Sequence, residues 1–183
     1  MHQLIQDSAA LKHVFLETFG CRMNENDSGR MLGFLNNINY IRTESIEEAD
    51  LILINTCSIR DKAEQKVYST LGRFKTLKKS KPSLVIGVAG CVAQQEGGRL
   101  LKRAPHLDMV LGTHNIHKLK DILNAVTVEK KRVVATRFND VIEDDEYGNT
   151  YQSASPVKAF VSIMRGCDNF CSYCIVPYTR GRE

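Results

Sequence analysis

The chain has 183 residues, 43% hydrophobic and 25% charged, with a formal net charge of +4 and a sequence pI near 8.7. That is an ordinary globular composition, long enough for one domain with a sizeable core. The mild positive balance falls short of a dedicated nucleic-acid binder, and with no Trp and 7% aromatics no stacking platform for bases stands out. No stretch approaches the roughly 18 apolar residues of a membrane span. Met1 to Ala10 has neither the basic lead nor the apolar core of a signal peptide. The expected location is therefore the cytoplasm, with no membrane partner.

Apolar runs then alternate with helical patterns. Val14, Phe15, Leu16 and Phe19 mark a strand over 13–19, and the polar run Asn24 to Ser28 supplies N-cap candidates for a helix carrying Met31, Phe34, Leu35 and Ile38. Leu51 to Ile54 is a fully apolar strand. Ala63, Val67, Leu71 and Phe74 keep one face of a long helix, which ends in Lys75, Lys78, Lys79 and Lys81 before Pro82. Cations suit that negative helix end, and a solvated end is the simpler reading than contact with RNA phosphates. Leu84 to Ala89 is a third strand. A shorter helix carries Leu100 and Leu101, Met109 to Leu111 is a fourth strand, and Ile116, Leu119, Leu123 and Val126 pattern a further helix. Val133 to Ala135 is a fifth strand candidate.

Continuous apolar strands separated by helices predict an α/β fold, a doubly wound parallel sheet over residues 1–138. No G-x-G-x-x-G or Walker sequence sits at any strand–helix junction, so nucleotide binding by this domain is unsupported. Residues 139–155 are polar, with an acidic centre at Glu143, Asp144, Asp145 and Glu146, and read as an exposed linker. A new strand over 158–164 then leads into a cysteine-rich loop, and residues 156–183 form the start of a second domain.

In that loop Cys167, Cys171 and Cys174 are separated by three and then two residues. A structural zinc site wants four ligands and a simple electron-transfer cluster four cysteines. Three thiolates leave one position open, which marks a catalytic centre. Zinc and a redox dithiol stand as weaker readings, and a disulfide framework would need an oxidising compartment. The other cysteines, Cys21, Cys57 and Cys91, each follow one of the first three strands. In an open parallel sheet those ends share one edge, so the three sulfurs can surround one centre if the strands are neighbours, as in a flavodoxin-like 2-1-3 order. Buried free cysteine is the plain alternative at any one of these places. His114 and His117 lack a third ligand and read as a surface pair.

The segments Thr18-Phe-Gly-Cys-Arg-Met-Asn24, Asn55-Thr-Cys-Ser-Ile-Arg-Asp-Lys-Ala-Glu-Gln-Lys-Val67, Gly87-Val-Ala-Gly-Cys-Val-Ala-Gln94 and Arg165-Gly-Cys-Asp-Asn-Phe-Cys-Ser-Tyr-Cys-Ile-Val-Pro-Tyr-Thr-Arg-Gly-Arg-Glu183 resemble the methylthiotransferases of the radical S-adenosylmethionine (SAM) enzymes. The similarity runs from about residue 13 to the last residue and is greatest to the branch that modifies tRNA. Arg22 departs from that branch, where Gln is expected. The resemblance implies an auxiliary [4Fe–4S] cluster on Cys21, Cys57 and Cys91, and a SAM-coordinating [4Fe–4S] cluster on Cys167, Cys171 and Cys174 with Tyr173 beside SAM. It implies transfer of a methylthio group to carbon 2 of an isopentenylated adenosine next to the tRNA anticodon. One SAM yields a 5′-deoxyadenosyl radical and another supplies the methyl group. Partners so implied are tRNA, SAM and an electron donor such as a flavodoxin or ferredoxin, with the protein a monomer. A branch acting on a ribosomal protein or on threonylcarbamoyl-adenosine, and a metal-binding module without catalysis, are the alternatives. In this family the radical domain is a partial (β/α) barrel followed by an RNA-binding domain, and a complete barrel takes about 250 residues. Residues 156–183 hold only its first strand and cluster loop, so the expectation is an amino-terminal fragment.

Overall fold

The computed structural model describes residues 10–59, 63–138, 157 and 162–183. Among these, six strands form one all-parallel sheet: β1 Lys12–Phe19, β2 Tyr40–Arg42, β3 Leu51–Thr56, β4 Val85–Gly90, β5 Met109–Leu111 and β6 Val133–Ala135. Their order is β2-β1-β3-β4-β5-β6. The helices are α1 Arg22–Asn36, α2 Ala63–Ser80, α3 Cys91–Glu96, α4 Gly98–Arg103, α5 Leu119–Thr127 and α6 Val176–Arg180, with a 3-10 turn over Ile116–Lys118 leading into α5.

The apolar runs form central strands because both faces of the sheet are covered. Every residue of β3 and β4 is buried. Leu51 and Leu53 join a core with Met31, Leu32 and Leu35 of α1 and Leu119 and Leu123 of α5. Ile52 and Ile54 point the other way, into a core with Val67, Leu71 and Phe74 of α2 and Leu100 of α4. Period-2 alternation thus divides one apolar run between two cores, each fully buried Leu or Ile contributing about 1.5–3 kcal/mol of transfer free energy. The doubly wound fold expected from the sequence is the fold observed. Its strand order reverses between β1 and β3, and the switch point opens a crevice at their carboxyl ends.

Three local expectations change. A sixth strand, β2, pairs with β1 at the sheet edge. The single helix expected around Leu100 is two short ones, broken at Gly97, whose φ is 51°. The polar run Asn24 to Ser28 does not cap α1 from outside. Cys21 is the N-cap, and Asn24, Asn26, Asp27 and Ser28 lie buried within the helix. The linker 139–155 and residues 158–161 of the expected strand are outside the described residues, while residues 162–164 carry no regular element. Among the described residues no helix is long and apolar enough to cross a membrane.

Candidate metal centre

The strand register sets the level at which each of the first three cysteines leaves the sheet. Phe19 pairs with Thr56, and Thr56 with Gly90. Cys57 and Cys91 are the next residues on neighbouring strands, so their backbones part about 5 Å from each other. Cys57 N–H still bonds to the Phe19 carbonyl at 2.9 Å. Cys21 lies two residues past Phe19, across the switch point. All three therefore sit at one edge, two of them at helix starts: Cys21 caps α1 and Cys91 opens α3.

A buried polar network supports this edge from below. Asn55, the fifth residue of β3, donates through Nδ2 to the Asn24 carbonyl and to Ser28 Oγ, both at 2.8 Å. Asn24 Nδ2 returns a bond to Asn55 Oδ1 at 3.1 Å, and Ser28 Oγ meets Thr18 Oγ1 at 2.7 Å. Gly90, with φ 90°, fits here because a Cβ would stand 2.3 Å from Asn55 Oδ1 and 2.6 Å from the Thr56 carbonyl. The network ties β1, α1 and β3 together immediately beneath Cys21 and Cys57. Ile59 N–H also points at Cys57 Sγ, at 3.4 Å.

The carboxyl-terminal segment seats on the same edge. Thr113 Oγ1 donates to the Thr179 carbonyl at 2.5 Å, and His114 Nε2 meets the Arg180 carbonyl at 2.6 Å. Arg180 turns its guanidinium inward, where Nη1 pairs with Asp27 of α1. Asp27 also faces Arg30, at 3.9 Å. Burial pushes the Asp27 carboxyl up while Arg180 pulls it back, and Asp27 raises the Arg180 pKa against burial. Burial likewise pushes the Cys91 thiol above its ordinary value; Arg180 opposes that shift, and Cys57 and Asp27 reinforce it. The second cysteine loop is anchored to this segment, since Cys167 N–H bonds to the Gly181 carbonyl at 3.1 Å.

The family model described as uncharacterized protein family UPF0004 matches residues 13–112, more than half of the chain. The chain belongs to this family. The UPF0004 region runs from β1 to just past β5 and contains Cys21, Cys57 and Cys91 but not the 167–174 loop. Three curated relatives bear the name tRNA-2-methylthio-N(6)-dimethylallyladenosine synthase. Those of Syntrophotalea carbinolica, Citrifermentans bemidjiense and Myxococcus xanthus are 49%, 50% and 51% identical over 176, 172 and 177 residues. Each alignment covers 94% of this chain but only 40%, 39% and 37% of the relative. The chain thus spans about two fifths of the length of these relatives.

The six cysteines are all free thiols. In the UPF0004 region Cys57 and Cys91 are buried and Cys21 half-buried; in the loop Cys167 and Cys174 are half-buried and Cys171 exposed. Among the described residues no three His, Cys, Asp or Glu side chains are gathered to the spacing of a single bound ion. Three sulfurs on one zinc would stand about 4 Å apart, given Zn–S bonds near 2.3 Å, whereas corner irons of a cube hold their sulfurs farther apart. The donor chemistry fits an anionic iron–sulfur group. Arg180 Nη2 is buried with no oxygen or nitrogen acceptor, and the guanidinium faces the Cys91 thiol.

Other residues singled out in the sequence fare variously. His114 is not part of a surface pair: it is 6% exposed, holds the Arg180 carbonyl and meets Phe138 edge-on at 4.8 Å. Tyr173 is 90% exposed. Of the helix-end lysines, Lys78 and Lys81 are committed to Asp108 and Asp50 at 2.7 and 3.0 Å. Asn55 and Arg180 lie in the segments that carry the resemblance, with no role assigned to them there, whereas Asp27 and Thr113 lie outside those segments. The one available signal was an acidic residue one and a half turns into a helix that starts at a strand-end cysteine.

Proposed function

We propose that the protein is a tRNA methylthiotransferase of the radical SAM type, adding a methylthio group to carbon 2 of an isopentenylated adenosine beside the anticodon. The observation that carries this reading is the roughly half identity to relatives named for that product, over a stretch holding two sets of three cysteines. Cys21, Cys57 and Cys91 would hold an auxiliary [4Fe–4S] cluster, and Cys167, Cys171 and Cys174 a second one with SAM, Tyr173 lying beside SAM. When bound, these groups supply the electron that cleaves SAM and the anchorage for the transferred sulfur.

The chain's own residues hold and position. Cys21 caps α1 and Cys91 opens α3, which fixes where both sulfurs leave the sheet edge. Binding must also overcome the burial that raises the Cys91 pKa, so loading is expected to release protons and weaken as pH falls. The link from Cys167 to Gly181, and from Arg180 to Asp27, draws both cysteine sets to one edge of the sheet. Carbon 2 of the adenine carries an unactivated C–H, so acid–base side chains alone would not suffice and cofactor chemistry is required. tRNA, SAM and a one-electron donor are the partners this chemistry demands, in the cytoplasm and with the protein acting as a monomer.

The test is to express the reading frame containing this chain in bacteria that make isopentenyladenosine but lack its methylthio form, and to digest their tRNA for mass spectrometry. The methylthiolated nucleoside should appear, and should vanish on Cys57→Ala. Unchanged tRNA from iron-loaded protein would refute the reading. A methylthio group on threonylcarbamoyl-adenosine or on a ribosomal protein would move the protein to another branch.

A further inference from the structure

The inference rests on the reading that Cys21, Cys57 and Cys91 hold an anionic iron–sulfur group, and it concerns a residue outside the matched family region. Arg180 is 7% exposed and lies at the end of α6, five residues long, which starts two positions after Cys174. Its backbone is fixed on both sides. Thr113 and His114 hold the carbonyls of Thr179 and Arg180, and Gly181, with φ 80°, turns the chain where a Cβ would stand 3.0 Å from the His114 ring. One guanidinium nitrogen, Nη1, is clamped by Asp27 across 153 residues of sequence. The other, Nη2, is buried with no oxygen or nitrogen acceptor, and the guanidinium faces the Cys91 thiol.

A buried guanidinium N–H without an oxygen acceptor is costly, and a fixed positive charge beside the Cys91 thiol suits an anion. Arg30 and Arg165 also act on Asp27, so the single carboxylate sits among three cations. We propose that Arg180 is a positioning residue for the group on Cys21, Cys57 and Cys91: clamped by Asp27, its guanidinium donates Nη2–H to that group and sets its reduction potential. Because Cys167 hangs from Gly181, the next residue, the same contact couples the placement of the second cysteine loop to the loaded state of the first centre.

The experiment uses the chain with Cys167, Cys171 and Cys174 changed to Ala, reconstituted anaerobically with iron and sulfide, so that only the first centre loads. Iron analysis comes first: failure of this parent to load removes the auxiliary-cluster reading itself and says so independently of Arg180. In the loaded parent the midpoint potential is followed by redox titration with electron paramagnetic resonance. Arg180→Gln removes a positive charge that favours the reduced, more negative group. The reduction equilibrium should weaken about tenfold, a fall of about 59 mV for a one-electron couple. Arg180→Lys should restore most of it, and Asp27→Asn, which unmasks the guanidinium, should shift the potential upward. A purely structural strap would not move the potential in opposite directions. If the Gln variant fails to fold, the Lys and Asn variants decide, with Asn expected above the parent. A potential unchanged in every loaded variant, or shifted the same way by Arg180→Gln and Asp27→Asn, overturns the proposal.

Discussion

The two edges of the sheet handle charge in opposite ways. At the amino edge, among the described residues, several ion pairs are spent on the fold. Lys78 reaches Asp108 and the Leu84 carbonyl, Asp108 also accepts the Ile86 N–H at 2.8 Å, and Lys81 bonds Asp50 and the Ala49 carbonyl. Arg132 caps the carbonyls of Leu101, Ala104 and Leu107. These side chains staple α2, α4 and the strand starts around a cleft lined by Lys12, Asp50, Lys78 and Asp108. At the carboxyl edge three cysteines follow neighbouring strand ends, and a buried guanidinium faces the Cys91 thiol. The contrast teaches that charge in a cleft is not by itself the mark of a site; what the charge is turned toward is.

Breaking the carboxyl-edge network should have the largest effect on stability. Asn55→Ala strands the Asn24 amide and removes two bonds of a wholly buried side chain, an expected loss of about 3 kcal/mol by urea titration. A loss no greater than a surface substitution would show the network to be incidental. At the amino edge Asp108→Ala leaves Lys78 and the Ile86 N–H without their carboxylate, for about 2 kcal/mol in the same titration. Iron loading of that variant should be unchanged, which separates the two edges.

Asp50 sharpens the contrast through pH. Burial pushes its carboxyl up, but the His13 N–H and Lys81 outweigh burial and hold its pKa below the ordinary value. A depressed folded pKa contributes stability above the unfolded pKa, and that contribution is lost as pH falls through the folded value. Asp50→Asn should therefore flatten the acid limb of the stability curve, by less than about 1 kcal/mol because the pair is partly exposed. A limb as steep as the parent's would remove Asp50 from the account. The smallest effect is expected from changing Cys167, Cys171 and Cys174 to Ala, which should leave the stability of the sheet domain within about 0.5 kcal/mol. Cooperative loss of helix signal would mean that the loop and the sheet are not separable.

Long apolar runs made the central strands and their cysteines legible in the sequence, because full burial on both faces leaves no polar alternation to misread. β2 escaped because Tyr40–Arg42 is a three-residue edge strand with only Tyr40 buried. The polar run after Cys21 was misjudged for the opposite reason. Asn24, Asp27 and Ser28 are polar yet buried, since they face the crevice and bond across it to Asn55, Arg180 and Thr18. Polarity in a first helical turn suggests capping when read alone; only the fold shows what it faces. Arg180 and Asp27 were beyond a sequence reading because nothing local marks a contact spanning 153 residues.

Anaerobic reconstitution with iron and sulfide, followed by Mössbauer spectroscopy and iron counting after desalting, tests the central claim most directly. The chain should retain one stable cluster of about four irons and four sulfides, with a more labile second one. The stable cluster should survive Ala at Cys167, Cys171 and Cys174, and be lost with Ala at Cys21, Cys57 and Cys91. A colourless protein that takes up zinc, or a stable four-iron cluster retained after the second triple change, would contradict it.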